Sequence, residues 1–166
     1  MQIAIFSDVH DNLVNLDKFL QWCKNAKVYQ LIFCGDLTSA QTLQHLAERW
    51  KGPLFLVWGN ACQQDQVKTA ADKVKNFTHF GWQASFILGD KRVGVVHFPD
   101  LAEKMAESGE FDFVFYGHTH KPWQKKKAEV VLLNPGTLAG LYSKATFALW
   151  DTATNNFTLK LVEKIQ

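Results

Sequence analysis

The chain has 166 residues, a length that predicts one domain with a substantial hydrophobic core, spanning residues 1–166. Its composition, 47% hydrophobic and 20% charged, is that of an ordinary soluble globular protein, and no apolar run approaches the roughly 20 residues of a membrane-spanning helix. The net charge is only +2, and just two of the 18 basic residues are arginine, the usual bidentate phosphate partner, so a dedicated nucleic-acid groove is not expected.

The first half of the chain alternates between buried strands and amphipathic helices. Short β-rich apolar runs predict strands at Ile3–Phe6, Leu31–Cys34 and Leu54–Trp58. Helices are predicted after the capping residue Asn12, from about Ser39, and from about Cys62 to Val74. This order favours parallel strands joined by right-handed crossovers.

The pattern changes after residue 80. Gly89-Asp90 lies between two apolar runs and predicts a hairpin, and Asp100 with Glu103 has the spacing of a capping box for a helix that ends near Gly109. Further strands are predicted at Phe111–Tyr116, Val130–Leu133, Ala145–Trp150 and Phe157–Val162. The whole pattern predicts an α/β fold in which two mixed sheets pack face to face with helices outside.

The cysteines favour a reducing compartment. Cys23, Cys34 and Cys62 form no CxxC pair and cannot all be bridged, which disfavours both a disulfide framework and a cysteine zinc site. Met1 leads directly into the first predicted strand, with no charged or cleavable leader. We therefore expect a cytoplasmic location and no membrane partner.

Five polar clusters each follow directly on a predicted strand. They are Ser7-Asp8-Val9-His10, Gly35-Asp36, Gly59-Asn60, His97 and Gly117-His118-Thr119-His120. Taken singly, each has an ordinary explanation as a surface loop, a turn dipeptide or a core histidine. Their shared position at strand ends is the stronger signal, because open α/β sheets build their sites at the carboxyl ends of strands.

The clusters supply carboxylate, amide and imidazole groups, the donors of a transition-metal site. The candidate ligands are Asp8, His10, Asp36, Asn60, His97, His118 and His120. This mixture suits Mn²⁺, Fe²⁺, Co²⁺, Ni²⁺ or Zn²⁺ better than Ca²⁺, which takes oxygen ligands. Seven ligands exceed a mononuclear catalytic zinc site and suit two cations that share a carboxylate, for which Asp36 in the middle cluster is the natural choice.

The order D-x-H, G-D, G-N, H and G-H-x-H resembles that of the calcineurin-like metallophosphoesterases. The short chain and the turn Asn134-Pro135-Gly136-Thr137 are similar to the small bacterial and archaeal phosphodiesterase branch of that family. The resemblance covers essentially the whole chain. It implies a four-layer αββα sandwich and a dinuclear metal site.

The resemblance also implies roles for the candidate ligands. One metal would be bound by Asp8, His10, Asp36 and His120, and the other by Asp36, Asn60, His97 and His118. The catalytic residues would be Asp36, Asn60 and His97, and the cofactors two divalent cations, Mn²⁺ first, with Ni²⁺, Fe²⁺, Co²⁺, Zn²⁺ and Mg²⁺ as alternatives. A hydroxide bridging the metals would attack a phosphodiester, or alternatively a phosphomonoester, of a small substrate.

Two departures from the family pattern identify candidate substrate-pocket residues. Ala61 and Cys62 follow Asn60, where many relatives have His-Asp/Glu or Cys-Asp, so a group that could protonate the leaving oxygen is missing. Phe98 and Pro99 follow His97, where the family usually has glycine and then a histidine or acidic residue. We therefore expect diesters with good leaving groups to be preferred over alkyl monoesters.

Two other functions compete with a small-molecule phosphoesterase. The retromer subunit that shares the implied fold works mainly as a binding surface, so a protein-interaction scaffold is the first alternative, and a nuclease is the second. The run Lys125-Lys126-Lys127 could be a docking patch for such a partner, although a run of this kind is more often a solvated strand or turn.

Overall fold

Two β-sheets, each covered on its outer face by helices, make up the computed structural model, which describes residues 1–165. The first six strands are β1 (Gln2–Phe6), β2 (Gln30–Phe33), β3 (Leu54–Leu56), β4 (Phe77–His79), β5 (Gln83–Leu88) and β6 (Lys91–Val96). The others are β7 (Phe113–Phe115), β8 (Trp123–Lys127), β9 (Val130–Asn134), β10 (Thr146–Asp151) and β11 (Asn156–Leu161). The helices are α1 (Leu13–Asn25), α2 (Ala40–Arg49), α3 (Gln64–Ala71) and α4 (Pro99–Glu107), followed by a 3-10 turn at Val162–Lys164.

Both sheets are mixed, as the sequence predicts. The six-stranded sheet has the order β11-β10-β1-β2-β3-β4, in which β1 to β4 are parallel and β10 pairs antiparallel with both β1 and β11. The five-stranded sheet has the order β5-β6-β7-β9-β8, with a parallel centre and antiparallel edge strands. The strands that precede the candidate ligands are therefore all interior strands of the two sheets.

The layers follow from side-chain alternation along the strands. In β1, Ala4 and Phe6 pack against the helices α1 to α3, whereas Ile3 and Ile5 face the second sheet. A strand that is buried on both faces needs a continuous apolar run, and this is why the run is so clear in the sequence. A third apolar cluster, which includes Ala102, joins α4 to the far face of the second sheet. The predicted αββα sandwich is thus confirmed.

Helix capping agrees with the sequence at two helices and differs at a third. Asn12 and Ser39 cap α1 and α2 through their side chains. The prediction of a capping box at Asp100 is wrong, because Asp100 lies within the first turn of α4, which begins at Pro99, whose fixed φ suits that position. Glu103 instead forms ion pairs with lysines of β8.

Two edge strands lack a sequence signal. β4 is a short Phe-Thr-His segment, and β8 has the sequence Trp-Gln-Lys-Lys-Lys, without an apolar run. Charged residues are usual on edge strands, because lysine discourages pairing with another chain. The lysine run therefore lies on an edge strand of the second sheet. Within residues 1–165, no helix has both the length and the hydropathy to cross a bilayer.

Candidate metal centre

The carboxyl ends of five strands from both sheets bring the predicted ligands to one edge of the sandwich. The loops after β1, β2, β3, β6 and β7 carry all seven residues. Asp8, Asp36, His97 and His120 are buried, His10 is half-buried, and Asn60 and His118 are exposed. The polar clusters that are scattered along the sequence therefore meet in space.

The first group of converging ligand atoms comes from Asp8, His10 and His120. The Nε2 atom of His120 lies 3.2 Å from Asp8 Oδ1, and the Nε2 atom of His10 lies 3.7 Å from the same oxygen. The two imidazole Nε2 atoms are 3.2 Å apart. One carboxylate and two imidazoles within 4.8 Å of one another are able to hold a divalent cation.

The second group consists of Asp8, Asp36 and His97, whose ligand atoms also lie within 4.8 Å of one another. Asp36 Oδ2 is 3.2 Å from His97 Nε2 and 3.8 Å from His10 Nε2, so this carboxylate lies between histidines of both groups. The two groups share Asp8, whereas Asp36 is the shared residue expected from the sequence. Both aspartates are central in the structure.

Hydrogen bonds fix the tautomers of two histidines. The Nδ1 atoms of His97 and His120 face the carbonyl oxygens of Cys34 and Leu141, at 2.9 and 3.1 Å. A carbonyl oxygen only accepts, so each Nδ1 is the protonated nitrogen, and each neutral ring presents the lone pair of Nε2 to the neighbouring carboxylate. Metal-binding histidines commonly receive this kind of outer support.

Two buried polar atoms at the site lack the partner that a bound cation would provide. Asp8 Oδ1 and His97 Nε2 are buried and, among the described residues, have no hydrogen-bond partner. A buried polar atom without a partner usually costs about 1–3 kcal/mol, so native structures seldom leave one. Both atoms point at the converging groups, where a divalent cation would satisfy them. The donor set and these two atoms fit bound metal.

Unusual backbone conformations cluster at the site. Asp8, His10, Asp36, His118 and His120 all have positive φ, between 42° and 70°. A non-glycine residue in this region costs on the order of 1–3 kcal/mol and persists where surrounding contacts enforce it. Here backbone N–H groups of residues 8 and 9 donate to the carbonyl oxygens of Gly35 and Asp36, at 2.9 Å each, and tie two of the loops together.

The glycines that precede the ligands leave room for them. A Cβ atom on Gly59 would overlap the Asp36 carboxylate, and one on Gly117 would overlap the Ser7 hydroxyl. Only Gly35, at φ +105°, also needs the conformational freedom of glycine. Close approach of backbone to ligand is therefore the main reason for glycine in these clusters.

Asn60 and His118 lie on the rim, outside the two tight groups. Asn60 follows Gly59, whose backbone abuts the Asp36 carboxylate. The His118 ring centroid is 5.1 Å from that of His97, and the His118 backbone N–H donates to Asp8 Oδ2 at 3.1 Å. Both side chains are thus beside the site and face solvent.

The four substrate-pocket candidates occupy different surroundings. The Ala61 backbone N–H donates to Asp36 Oδ1 at 2.7 Å, and Cys62 packs against the apolar core beneath the helices. Phe98 is half-buried against the rings of His97 and His118, with ring centroids 5.1 Å apart in each case. Pro99 is the first residue of α4. Of the four, Phe98 presents the largest side chain to the ligands.

Sequence reasoning missed the structural role of the turn at residues 134–137. The Asn134 amide donates to the Gly117 carbonyl oxygen at 2.8 Å and to Thr119 Oγ1 at 3.1 Å. The Thr137 hydroxyl donates to the Asp8 carbonyl oxygen at 3.0 Å. The turn therefore joins the loop that carries Asp8 to the loop that carries the histidine pair. Its polar residues in an otherwise apolar stretch were the available signal.

The carboxylates of the site raise the pKa of two of its histidines, His10 and His97. The neighbouring Asp8 carboxylate is the main reason that the pKa of His10 is raised. Burial alone would lower the pKa of His97, but the adjacent Asp36 carboxylate outweighs burial and raises that pKa. Burial likewise opposes the effect of His97 on Asp36, yet the pKa of the Asp36 carboxyl is lowered. The negative charge of the two aspartates therefore makes this site attractive to cations.

Comparison with known proteins agrees with this geometry. Residues 1–155 match the model of the family described as the calcineurin-like phosphoesterase superfamily domain. A relative, phosphodiesterase MJ0936 of Methanocaldococcus jannaschii, is 26% identical over 161 residues, which are 95% of this chain and 96% of the relative.

Solved structures share the fold. The structure of an archaeal phosphodiesterase superimposes with a TM-score of 0.86 at 24% identity, covering 97% of this chain and 99% of the other. Vps29 of Chaetomium thermophilum gives a TM-score of 0.70 at 16% identity, covering 97% and 95%. At these identities the two structures support the fold alone.

Proposed function

The chain belongs to the calcineurin-like phosphoesterase superfamily, and from this premise we propose that it is a metal-dependent phosphodiesterase acting on a small substrate. The supporting observation is the convergence of Asp8, His10, Asp36, His97 and His120 around two buried atoms that lack a partner. A relative that is named a phosphodiesterase and matches 95% of this chain supports the same function.

The ligand assignment that we propose is the one implied by the family resemblance. Asp8, His10, Asp36 and His120 would hold one divalent cation, and Asp36, Asn60, His97 and His118 the other, with Mn²⁺ as the first candidate. When bound, the cations would supply an acidified water molecule and neutralise negative charge on the phosphate. Mixed nitrogen and oxygen ligands favour a transition metal over Ca²⁺.

The chain's own residues prepare the site for that chemistry. The carbonyl oxygens of Cys34 and Leu141 hold His97 and His120 with Nε2 facing the carboxylates. The backbone N–H groups of Ala61 and His118 each occupy one oxygen of a central aspartate, which leaves the other oxygen free for a ligand role. A site organised before substrate binds loses little free energy to rearrangement.

A diester is favoured over an alkyl monoester because positions 61 and 62 offer no acid. Ala61 has no titratable group, and the half-buried Cys62 side chain packs against the core. An unassisted leaving oxygen must depart as an anion, so the substrate needs a good leaving group.

A nuclease is disfavoured by the pairing of the lysine run. Lys125 and Lys127 pair with Glu103, and Lys126 pairs with Glu129 at 2.8 Å. Neutralised lysines give a weak electrostatic footprint for nucleic acid.

The experiment is reconstitution of metal-free protein with Mn²⁺, Ni²⁺, Mg²⁺ or Zn²⁺, followed by assay on bis(p-nitrophenyl) phosphate. Hydrolysis that depends on added metal supports the proposal. A folded protein that binds the metals and hydrolyses neither this diester nor p-nitrophenyl phosphate would overturn it and favour the scaffold function.

A further inference from the structure

An aromatic face borders the His118 side of the candidate metal centre. The rings of Trp82 and Phe98 are nearly parallel, with an interplanar angle of 25° and centroids 6.5 Å apart. Phe98 in turn packs edge-on against the rings of His97 and His118. These contacts connect the exposed Trp82 ring to the site through a single intervening side chain. We call the pair the Trp82–Phe98 face.

The Trp82 ring is held in place although much of it is exposed. Trp58 packs edge-on against it, with centroids 5.5 Å apart and an interplanar angle of 77°. Trp58 directly precedes Gly59-Asn60, so the same segment supports the indole and a candidate ligand. Even so, Trp82 is 45% exposed. A large aromatic surface that is both fixed and open to solvent beside a reaction site is suited to binding a ring.

The other side of the site is different. Tyr142 is 94% exposed and lies 5.5 Å from the His120 ring, on a backbone with φ of 63°. Among residues 1–165, the only aromatic ring packed near Tyr142 is that of His120, so ordering this side chain against a ligand would cost more conformational entropy. Of the two aromatic borders, the Trp82–Phe98 face is therefore the preorganised one.

We propose, on the premise that the chain is a phosphodiesterase, that the Trp82–Phe98 face stacks on a planar aromatic ring carried by the ester group of the substrate that stays on phosphorus during hydrolysis. Both a nucleobase and a simple aryl ring have the flat π-surface that this contact requires. Stacking of this kind tolerates different rings, because every base has a π-face. The substrate class is thus a ring-bearing phosphodiester rather than an alkyl one.

The test compares three diesters with the same p-nitrophenolate leaving group: methyl, phenyl and thymidine 5′-(p-nitrophenyl) phosphate. We expect kcat/KM for the phenyl ester, the thymidine ester or both, which carry a ring on the group retained by phosphorus, to exceed that for the methyl ester by about fivefold or more, the lower range of aromatic stacking. Trp82→Leu should reduce this ratio to near one. Tyr29→Leu is the matched control, since Tyr29 is 56% exposed and precedes β2 at the end opposite the site, and it should leave the ratio unchanged.

The comparison of the three esters also identifies the kind of ring. A higher kcat/KM for the thymidine ester than for the phenyl ester indicates that the face binds a nucleobase, and the reverse order indicates a simple aryl ring. Equal kcat/KM for all three esters would overturn the inference while leaving the phosphodiesterase intact. The inference would also be overturned if Tyr142→Leu removed the preference over the methyl ester and Trp82→Leu did not.

A binding measurement separates this inference from the proposed function. Calorimetric titration of wild type and Trp82→Leu with thymidine 5′-monophosphate and with methyl phosphate needs no turnover. Tighter binding of the thymidine compound that is lost in Trp82→Leu supports the ring site even in a protein without activity. No difference between the two ligands, in a protein that is active on all three diesters, contradicts the ring site alone.

Discussion

The Thr137 hydroxyl donates a 3.0 Å hydrogen bond to the backbone carbonyl oxygen of Asp8, 129 positions earlier in the chain. Asp8 occurs in both groups of converging ligand atoms and has a positive φ of 55°. The backbone N–H groups of Leu138 and Ala139 donate to the carbonyl oxygens of Ser7 and Asp8, at 2.9 Å each. The turn that follows β9 therefore holds Asp8 in a conformation it would not adopt alone.

Removal of this hydroxyl should loosen the site. Thr137 is fully buried, so Thr137→Val deletes a buried donor and leaves the Asp8 carbonyl oxygen short of one partner. We expect a loss of about 1–3 kcal/mol in the free energy of unfolding and a weaker affinity for Mn²⁺. Urea unfolding and calorimetric titration measure the two effects. Thr137→Ser keeps the hydroxyl and should preserve Mn²⁺ affinity; equal affinity in all three proteins would exclude a positioning role.

Loss of a ligand should abolish activity without loss of fold. Asp36→Asn and Asn60→Ala should each lower kcat/KM on bis(p-nitrophenyl) phosphate by more than about 100-fold, beyond the roughly 10- to 100-fold cost of losing an outer support. Asp90→Asn, in the exposed turn between β5 and β6, is the matched control and should behave as wild type. Circular dichroism checks the fold. Near wild-type activity in Asp36→Asn would refute the ligand assignment.

Leaving-group chemistry should be visible in the choice of substrate. Because no acidic side chain stands at positions 61 and 62, we expect bis(p-nitrophenyl) phosphate to be hydrolysed faster than an alkyl monoester such as glycerol phosphate. The metal-loaded protein is assayed on both by phosphate or phenolate release. Faster monoester hydrolysis would show that another group protonates the leaving oxygen.

The pH dependence of metal binding follows from the raised pKa values of His10 and His97, both above the ordinary 6.5. Protonation of these rings stabilises the metal-free fold, fully so below the unfolded value of about 6.5, and this stabilisation is lost as the pH rises through the folded pKa values. Metal needs the neutral rings, so binding must release protons. As the pH rises above about 6.5, we expect Mn²⁺ affinity to rise while these two histidines contribute less and less to the stability of the metal-free protein.

Calorimetry in buffers of different ionisation enthalpy counts the protons released on binding, and thermal unfolding without metal follows the second effect. Replacing one ring removes its share of the released protons, so His10→Asn should flatten the pH dependence. Mn²⁺ affinity that stays constant as the pH rises would contradict the prediction.

The fold was largely predictable because both faces of its central strands are buried. The apolar runs at β1, β2 and β6 are continuous for that reason, and the sequence shows them with their order. β8 could not be predicted from an apolar run, because an edge strand rich in lysine buries little apolar surface. At α4, Pro99 decides where the helix begins, and the Asp100 and Glu103 spacing was coincidental.

Residue types and their strand-end positions alone determined which groups could form the site, since metal chemistry depends on the donor atoms and parallel strands bring their ends together. Only the tertiary structure decided how those groups meet. It placed Asp8 in both ligand groups, paired Thr137 with the Asp8 backbone, and set the Trp82–Phe98 face beside His118. These contacts join residues far apart in the chain, and their distances depend on the packing of two sheets, which no local pattern contains.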